Sequence, residues 1–164
     1  MKKTREISIV AILSAVAVML GYFESMIPTP VAGVKLGIGN VSVLVALYAL
    51  GTGCGLIVCV IKVLLCGLLF GNFSAMLFSI CGAALSLAVM IICKRIKCFS
   101  VIGVSALGAL AHNFGQLGCA YFAVGKGALV YMPVLCASAA VAGALTGVVA
   151  HIILKRGRSV FGKK

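Results

Sequence analysis

The sequence predicts an all-α integral membrane protein of six short transmembrane helices, with both termini in the cytoplasm. Of its 164 residues, 63% are hydrophobic and 10% are charged, whereas soluble domains have roughly 45–50% apolar and about 25% charged residues. Uncharged runs of spanning length follow one another, and the basic residues cluster between them. Because a spanning helix takes about 20 apolar residues, we expect residues 1–164 to form one transmembrane domain.

The uncharged runs define the helices in order. The first run extends from Ile7 to Phe23, and the last two cover residues 98–125 and 127–154. Between them, residues 36–93 carry only one charge, on Lys62, and glycine-bearing turns at 51–53 and 71–73 divide this stretch into three helices. The predicted helices are 7–23, 38–50, 54–70, 74–93, 100–123 and 129–154.

The basic residues predict the topology. The formal net charge of +12 would suggest nucleic acid for a soluble protein, but clustering between apolar runs indicates a multi-pass protein of the cell membrane, with the bilayer as partner and no nucleic acid. Positive charges favour the cytoplasmic side. The six-helix arrangement puts eleven of them there and two outside: Lys2, Lys3, Arg5, Lys94, Arg95, Lys97, Lys155, Arg156, Arg158, Lys163 and Lys164 against Lys35 and Lys126. Cleavage of the first helix as a signal peptide would place every later loop on the other side of the membrane. We therefore expect the first helix to be retained.

Lys62 falls near the middle of the third helix, where a charged side chain is costly unless it faces protein, water or a partner. Glu6 and Glu24, the only acids, are expected at the two ends of the first helix and not at the depth of Lys62. An unmatched ammonium indicates an anionic ligand or a hydrated cavity. The alternative is a lysine that snorkels or loses its proton and has no further role.

His112, Asn113 and Gln116 form a second polar group midway along the fifth helix. His112 and Gln116 are four residues apart and share a helical face. They either line the site that Lys62 reaches or bond neighbouring helices together, and the sequence leaves both readings open.

The first outer loop, residues 24–40, contains two prolines and three glycines and is expected to fold back over the bundle as a lid or to act as a plain tether. Its Lys35 and Asn40, with Asn72 from the next outer turn, are candidate ligand contacts. Seven of the twelve aromatic residues fall near this outer face, as an aromatic belt or partly as a stacking surface: Tyr22, Phe23, Phe70, Phe73, Tyr121, Phe122 and Tyr131.

The sequence contains few residues that could support catalysis or bind a metal ion. There is no Asp and no phosphate-binding glycine loop followed by Lys and Ser or Thr, so neither ATP hydrolysis nor an Asp-rich magnesium site is expected. The eight cysteines are predicted to be free thiols without a metal, because those in the spans behave as small apolar residues. We expect a binding or translocating protein, with no cofactor, and not an enzyme.

The sequence resembles a known family at three segments, Val34–Asn40, Gly67–Phe73 and Ala111–Gln116, and with the pair Ala11 and Ala15 on the first helix. These residues are similar to the Gx transporter family, labelled heptaprenyl diphosphate synthase component I, and to the S-components of energy-coupling factor transporters. The resemblance covers nearly the whole chain.

The resemblance implies an S-component-like bundle that captures a vitamin-like, anionic and aromatic small molecule such as a flavin. Ala11 and Ala15 would contact a transmembrane coupling subunit, with ATPase subunits below it. One alternative is a non-catalytic membrane subunit associated with heptaprenyl diphosphate synthesis. Another is a structural scaffold that tolerates apolar replacement of Lys62 and the His112 group.

Overall fold

The computed structural model describes residues 2–27, 37–96, 98–157 and 161. These residues form helices and turns and no strand, which confirms the all-helical class. The helices are α1 (Lys2–Ser25), α2 (Asn40–Ala49), α3 (Thr52–Phe70), α4 (Phe73–Arg95), α5 (Val101–Val124) and α6 (Met132–Arg156), with a 3₁₀ helix (Gly125–Tyr131) between the last two. Asn72 and Ser100 cap α4 and α5, because each side-chain oxygen accepts a hydrogen bond from a first-turn amide.

Four described segments are long and apolar enough to cross a membrane: Lys3–Ser25, Thr52–Phe70, Phe73–Arg95 and Val101–Arg156. The last contains both α5 and α6, which pack along each other. The ten residues of α2 extend about 15 Å, half of the ~30 Å hydrocarbon layer. Helix α2 alone therefore does not span the membrane, and six passes remain a prediction.

The first three helices alternate in direction. Gly21 of α1 lies against Cys66 of α3, and one turn earlier in both helices Ala17 and Lys62 both lie beside Gly39. Helices α1 and α3 are therefore parallel, and α2 runs back between them.

The last three helices also alternate. Gly115 of α5 packs on Cys81 of α4, whereas Gly108 packs on Met90, so these two helices are antiparallel. Gly147 of α6 packs on Ile102, near the start of α5. The beginning of α1 and the end of α6 consequently lie at the same end of the bundle.

The two ends of the bundle differ in charge. At the end that contains the start of α1 and the end of α6 lie six described basic residues, Lys3, Arg5, Lys94, Arg95, Lys155 and Arg156. At the opposite end, Lys126 in the 3₁₀ helix is the basic residue within the described ranges. We refer to these as the basic end and the opposite end. A protein with both termini in the cytoplasm would have this asymmetry under the positive-inside rule, and that orientation remains a prediction.

Helix α2 forms the centre of the bundle. Eight of its ten residues are buried, and Leu44 and Leu47 are among the largest fully buried side chains. Lys94 of α4 donates a hydrogen bond to the carbonyl of Leu47 and lies over the ring of Tyr48, 5.2 Å from its centroid. This positive charge is favourable at the C-terminal end of a helix. A polar start and a basic partner at its end thus hold a short helix inside an apolar bundle.

Candidate functional site

Lys62 and Asn40 form the centre of the candidate site. Lys62 is 7% exposed, and its Nζ donates a hydrogen bond to Oδ1 of Asn40 over 2.8 Å. Lys62 lies eight residues before the end of α3, about 12 Å inside the bundle. Because Asn40 is the first residue of α2, the lysine meets the beginning of a helix within the bundle, where the N-terminal end of the helix dipole favours negative charge.

Two glycines make the turn before α2 possible. Gly37 has φ +84°, a left-handed conformation that glycine adopts without steric cost. A Cβ added to Gly39 would lie 2.8 Å from Cε of Lys62 and 3.1 Å from the carbonyl oxygen of Ala17. A larger residue at this position would displace the end of the Lys62 side chain and crowd the backbone of α1.

Glu24 corrects one expectation from the sequence. From the sequence, neither glutamate was expected to lie at the same depth in the membrane as Lys62. In the structure, however, Glu24 is 2% exposed and borders the same small cavity as Lys62. Its Oε1 accepts hydrogen bonds from the amides of Gly37 and Ile38, the latter over 3.3 Å. The turn before α2 draws the carboxylate inward, because these two amides would otherwise be unpaired within the bundle. The signal in the sequence was the rarity of acids, since only two residues of the chain are acidic.

The cavity between α1, α3, α4 and α5 is small and charged. It is lined by Gly21, Glu24, Lys62, Val63, Cys66, Ser79 and His112. It offers about 10 Å³ to the centre of a water molecule, room for about one water. A larger ligand therefore fits only after the surrounding helices or the turn before α2 move.

A second polar cavity lies on the other side of Asn40, toward the basic end. It is lined by residues of α2, α4, α5 and α6 that include Ser86, Ser105 and Thr146, and it also has room for about one water. The Nδ2 atom of Asn40 and the Oγ atom of Ser86 are buried without a hydrogen-bond partner in the described chain. Buried polar groups are therefore present on both sides of Asn40, in the Lys62 cavity and in this second cavity.

The polar residues of α5 divide between two surroundings. His112 borders the Lys62 cavity, as one reading of the sequence anticipated. Asn113 instead donates a hydrogen bond to the carbonyl of Leu135 in α6 over 2.8 Å, which joins two helices. Gln116 is completely buried against Gly82 of α4, and neither amide lines the Lys62 cavity.

The remaining candidates lie apart from the Lys62 cavity. Asn72 is exposed and uses its side-chain oxygen to accept a hydrogen bond from the amide of Ala75 over 2.8 Å. Lys35 lies outside the described residues. Ala11 and Ala15 are exposed on α1, on the surface of the bundle and away from the cavity.

Two aromatic rings lie one turn outward from the cavity. Tyr22 of α1 and Phe70 of α3 pack against each other with ring centroids 4.9 Å apart. Tyr22 follows Gly21, and Phe70 is four residues after Cys66, and both of those neighbours line the cavity. The two rings therefore form an aromatic surface beside residues of α1 and α3 that line the cavity.

One cysteine, Cys66, lines the Lys62 cavity. None of the eight cysteines forms a disulfide. Within the described ranges, no group of three or more His, Cys, Asp or Glu side chains is arranged to hold a metal ion.

The fold and the site define a helical membrane protein with a charged, buried cavity in its interior. The chain belongs to the family described as heptaprenyl diphosphate synthase component I, whose sequence profile matches residues 13–153. This match confirms the resemblance found in the sequence. No curated protein and no solved structure matches the chain.

Proposed function

We propose that this protein is the membrane subunit that binds and translocates a small vitamin-like molecule, with a flavin as the first candidate. The observation that carries the proposal is the Lys62–Asn40 contact at a helix start inside the bundle. Transporters place substrate sites near the middle of the membrane, where interrupted helices direct their N-termini at anionic substrate groups. The start of α2 inside the bundle, beside Lys62, would serve the same purpose here.

The chemistry of the site supports a ligand that accepts hydrogen bonds. A buried lysine inside a membrane protein is a functional-site hypothesis in itself, and Lys62 carries hydrogens beyond the one given to Asn40. A flavin nucleotide offers phosphate and carbonyl oxygens to such a group. Its ring would stack near Tyr22 and Phe70, since aromatic rings favour contact with other rings.

Binding requires the site to open. The Lys62 cavity admits about one water, so the bound state differs from the structure described above. Opening on the side of Tyr22 would join the cavity to the opposite end, which we propose is the extracytoplasmic side because the basic end has the charge of a cytoplasmic surface. In this arrangement the chain crosses the membrane six times.

We further propose that α1 contacts a transmembrane coupling subunit, with ATPase subunits attached to it. Ala11 and Ala15 are exposed four residues apart on one face of α1, and such spacing lets two helices approach closely. The large exposed side chains of Ile12 and Met19 flank this surface.

Flavin binding to purified protein in lipid nanodiscs tests the function. We expect wild type to quench the fluorescence of riboflavin or flavin mononucleotide, and Lys62→Met to weaken binding at least about tenfold, since a hydrogen bond from a charged group contributes about 1.5–3 kcal/mol. Lys126→Met, which removes an exposed lysine, is the matched control and should bind as wild type does. Equal affinity in all three proteins would remove Lys62 from the site.

A second candidate function is a non-catalytic membrane subunit associated with heptaprenyl diphosphate synthesis. The description of the family favours it, as does an apolar groove of about 280 Å³ between α3 and α4 that includes Leu56, Val60 and Ile80. The groove has the apolar character that an isoprenoid chain requires. Affinity purification separates the candidates, because this one predicts a soluble, Asp-rich synthase among the bound proteins and the transporter predicts ATPases.

A further inference from the structure

The Lys62 cavity carries two opposite charges. Glu24 reaches it from the end of α1 and Lys62 from the middle of α3. Both side chains are more than nine-tenths buried. They do not form an ion pair within 4.0 Å, and each side chain uses only part of its hydrogen-bonding capacity.

Both Glu24 and Lys62 have hydrogen-bonding capacity that the described chain does not use. Oε1 of Glu24 accepts two backbone hydrogen bonds, whereas Oε2 is buried without a partner among the described residues. Lys62 has three N–H bonds and one described acceptor, the side chain of Asn40. The two residues line one cavity, with an unpartnered acceptor on Glu24 and spare donors on Lys62, and burying either group without a partner is costly.

We infer that the site recognises a dipolar, net-neutral group, in which an N–H donor for Oε2 of Glu24 adjoins an acceptor for Nζ of Lys62. A purely anionic group would satisfy Lys62 but would meet the repulsion of the Glu24 carboxylate. The inference rests on the proposed function and changes what the cavity binds. Within a flavin, the matching part is the pyrimidine edge of the ring, where one N–H lies between two carbonyls, and not the phosphate.

The binding of three flavins tests this selection in lipid nanodiscs. Riboflavin and flavin mononucleotide should bind within about threefold of each other, because the phosphate lies outside the cavity. N3-methylriboflavin lacks the ring N–H and should bind at least about tenfold more weakly, the loss expected when a hydrogen bond to a charged group is removed. Equal binding of riboflavin and its N3-methyl derivative would overturn the inference.

Substitution of Glu24 provides the second arm. Glu24→Gln should weaken riboflavin binding about tenfold and reduce the discrimination against the methylated compound. Glu6→Gln is the matched control, since Glu6 is the other acid of the chain and is exposed near the start of α1. Unchanged binding by Glu24→Gln would remove Glu24 from recognition.

A ligand-free arm keeps the inference separate from the proposed function. If the two charges balance each other across the cavity, Glu24→Gln and Lys62→Met should each lower the melting temperature, and the double variant should lose less than the two shifts combined. Additive shifts would overturn the charge pairing whether or not any flavin binds. Coupled shifts without flavin binding to wild type would refute the flavin proposal and support the charge-paired cavity.

Discussion

Replacement of Gly115 by alanine should separate α4 from α5 at the level of the candidate site. A Cβ at Gly115 would lie 2.6 Å from the carbonyl oxygen of Cys81 and 2.9 Å from Cα of Gly82. Ordinary contact begins near 3.4 Å, so the methyl group is about 0.8 Å too close to a backbone atom that no rotamer change can move. Overpacking of this kind costs about 1–3 kcal/mol.

Gly118→Ala is the matched control for this substitution. Gly118 lies one turn further along α5 and is exposed, and an added Cβ meets nothing within 4 Å. Both variants exchange glycine for alanine within the same helix. The gain in helix propensity from glycine to alanine, about 1 kcal/mol, is therefore the same in both and cancels when they are compared. The unfolding equilibrium constants of the two variants should therefore differ by a factor of about 5 to 150.

Unfolding by sodium dodecyl sulfate in mixed micelles, followed by circular dichroism, measures this difference. Gly115→Ala should unfold at a lower detergent fraction than wild type, and Gly118→Ala at an equal or higher one. Because Gly82 also contacts His112 and Gln116, Gly115→Ala should in addition weaken flavin binding. If the two alanine variants unfold together, the close approach of α4 and α5 is not as described.

Two further substitutions test the polar contacts. Thr146→Val should destabilise the protein by about 1–3 kcal/mol, because it leaves buried Ser105 without its 2.9 Å partner. Ser105→Ala should cost less, since Thr146 keeps hydrogen bonds to the carbonyls of Ala142 and Gly143, and a reversed order in detergent-induced unfolding would contradict this assignment. Asn72→Ala should cost about 1 kcal/mol through loss of the α4 cap, whereas Asn72→Asp retains it. A loss of flavin affinity in the stable Asp variant would show that Asn72 contacts the ligand.

Several site residues could be predicted from the sequence because their types are rare in apolar helices. Lys62, the one charge within a 58-residue stretch, and His112 both line the cavity. Asn40 lies where the predicted outer loop 24–40 and the predicted helix 38–50 overlap, and the structure makes it the first residue of α2 and the partner of Lys62. Asn113 was a candidate because it adjoins His112 in the polar group of the fifth helix. In the structure its side chain instead donates a hydrogen bond to the neighbouring helix α6.

Glu24 could not be predicted, because the depth of a side chain at a helix end depends on where the following segment lies. Its carboxylate is inside the bundle because the turn at Gly37 and Ile38 enters between α1 and α3 and presents two amides to it. The path of this turn also explains why α2 is shorter than the sequence predicts. The apolar run at 38–50 predicts a span, whereas the helix begins at Asn40, inside the bundle, beside Ala17 and Lys62.

The sequence by itself determined the all-helical class, the order of the apolar segments and the family, because hydrophobicity along a chain is a local property. It also determined that the basic residues would gather at one end, since they flank alternate helices. Only the tertiary structure decided that Glu24 and Lys62 share a cavity. That result depends on which helices are parallel and where α2 starts, and both are settled by packing between residues distant in sequence.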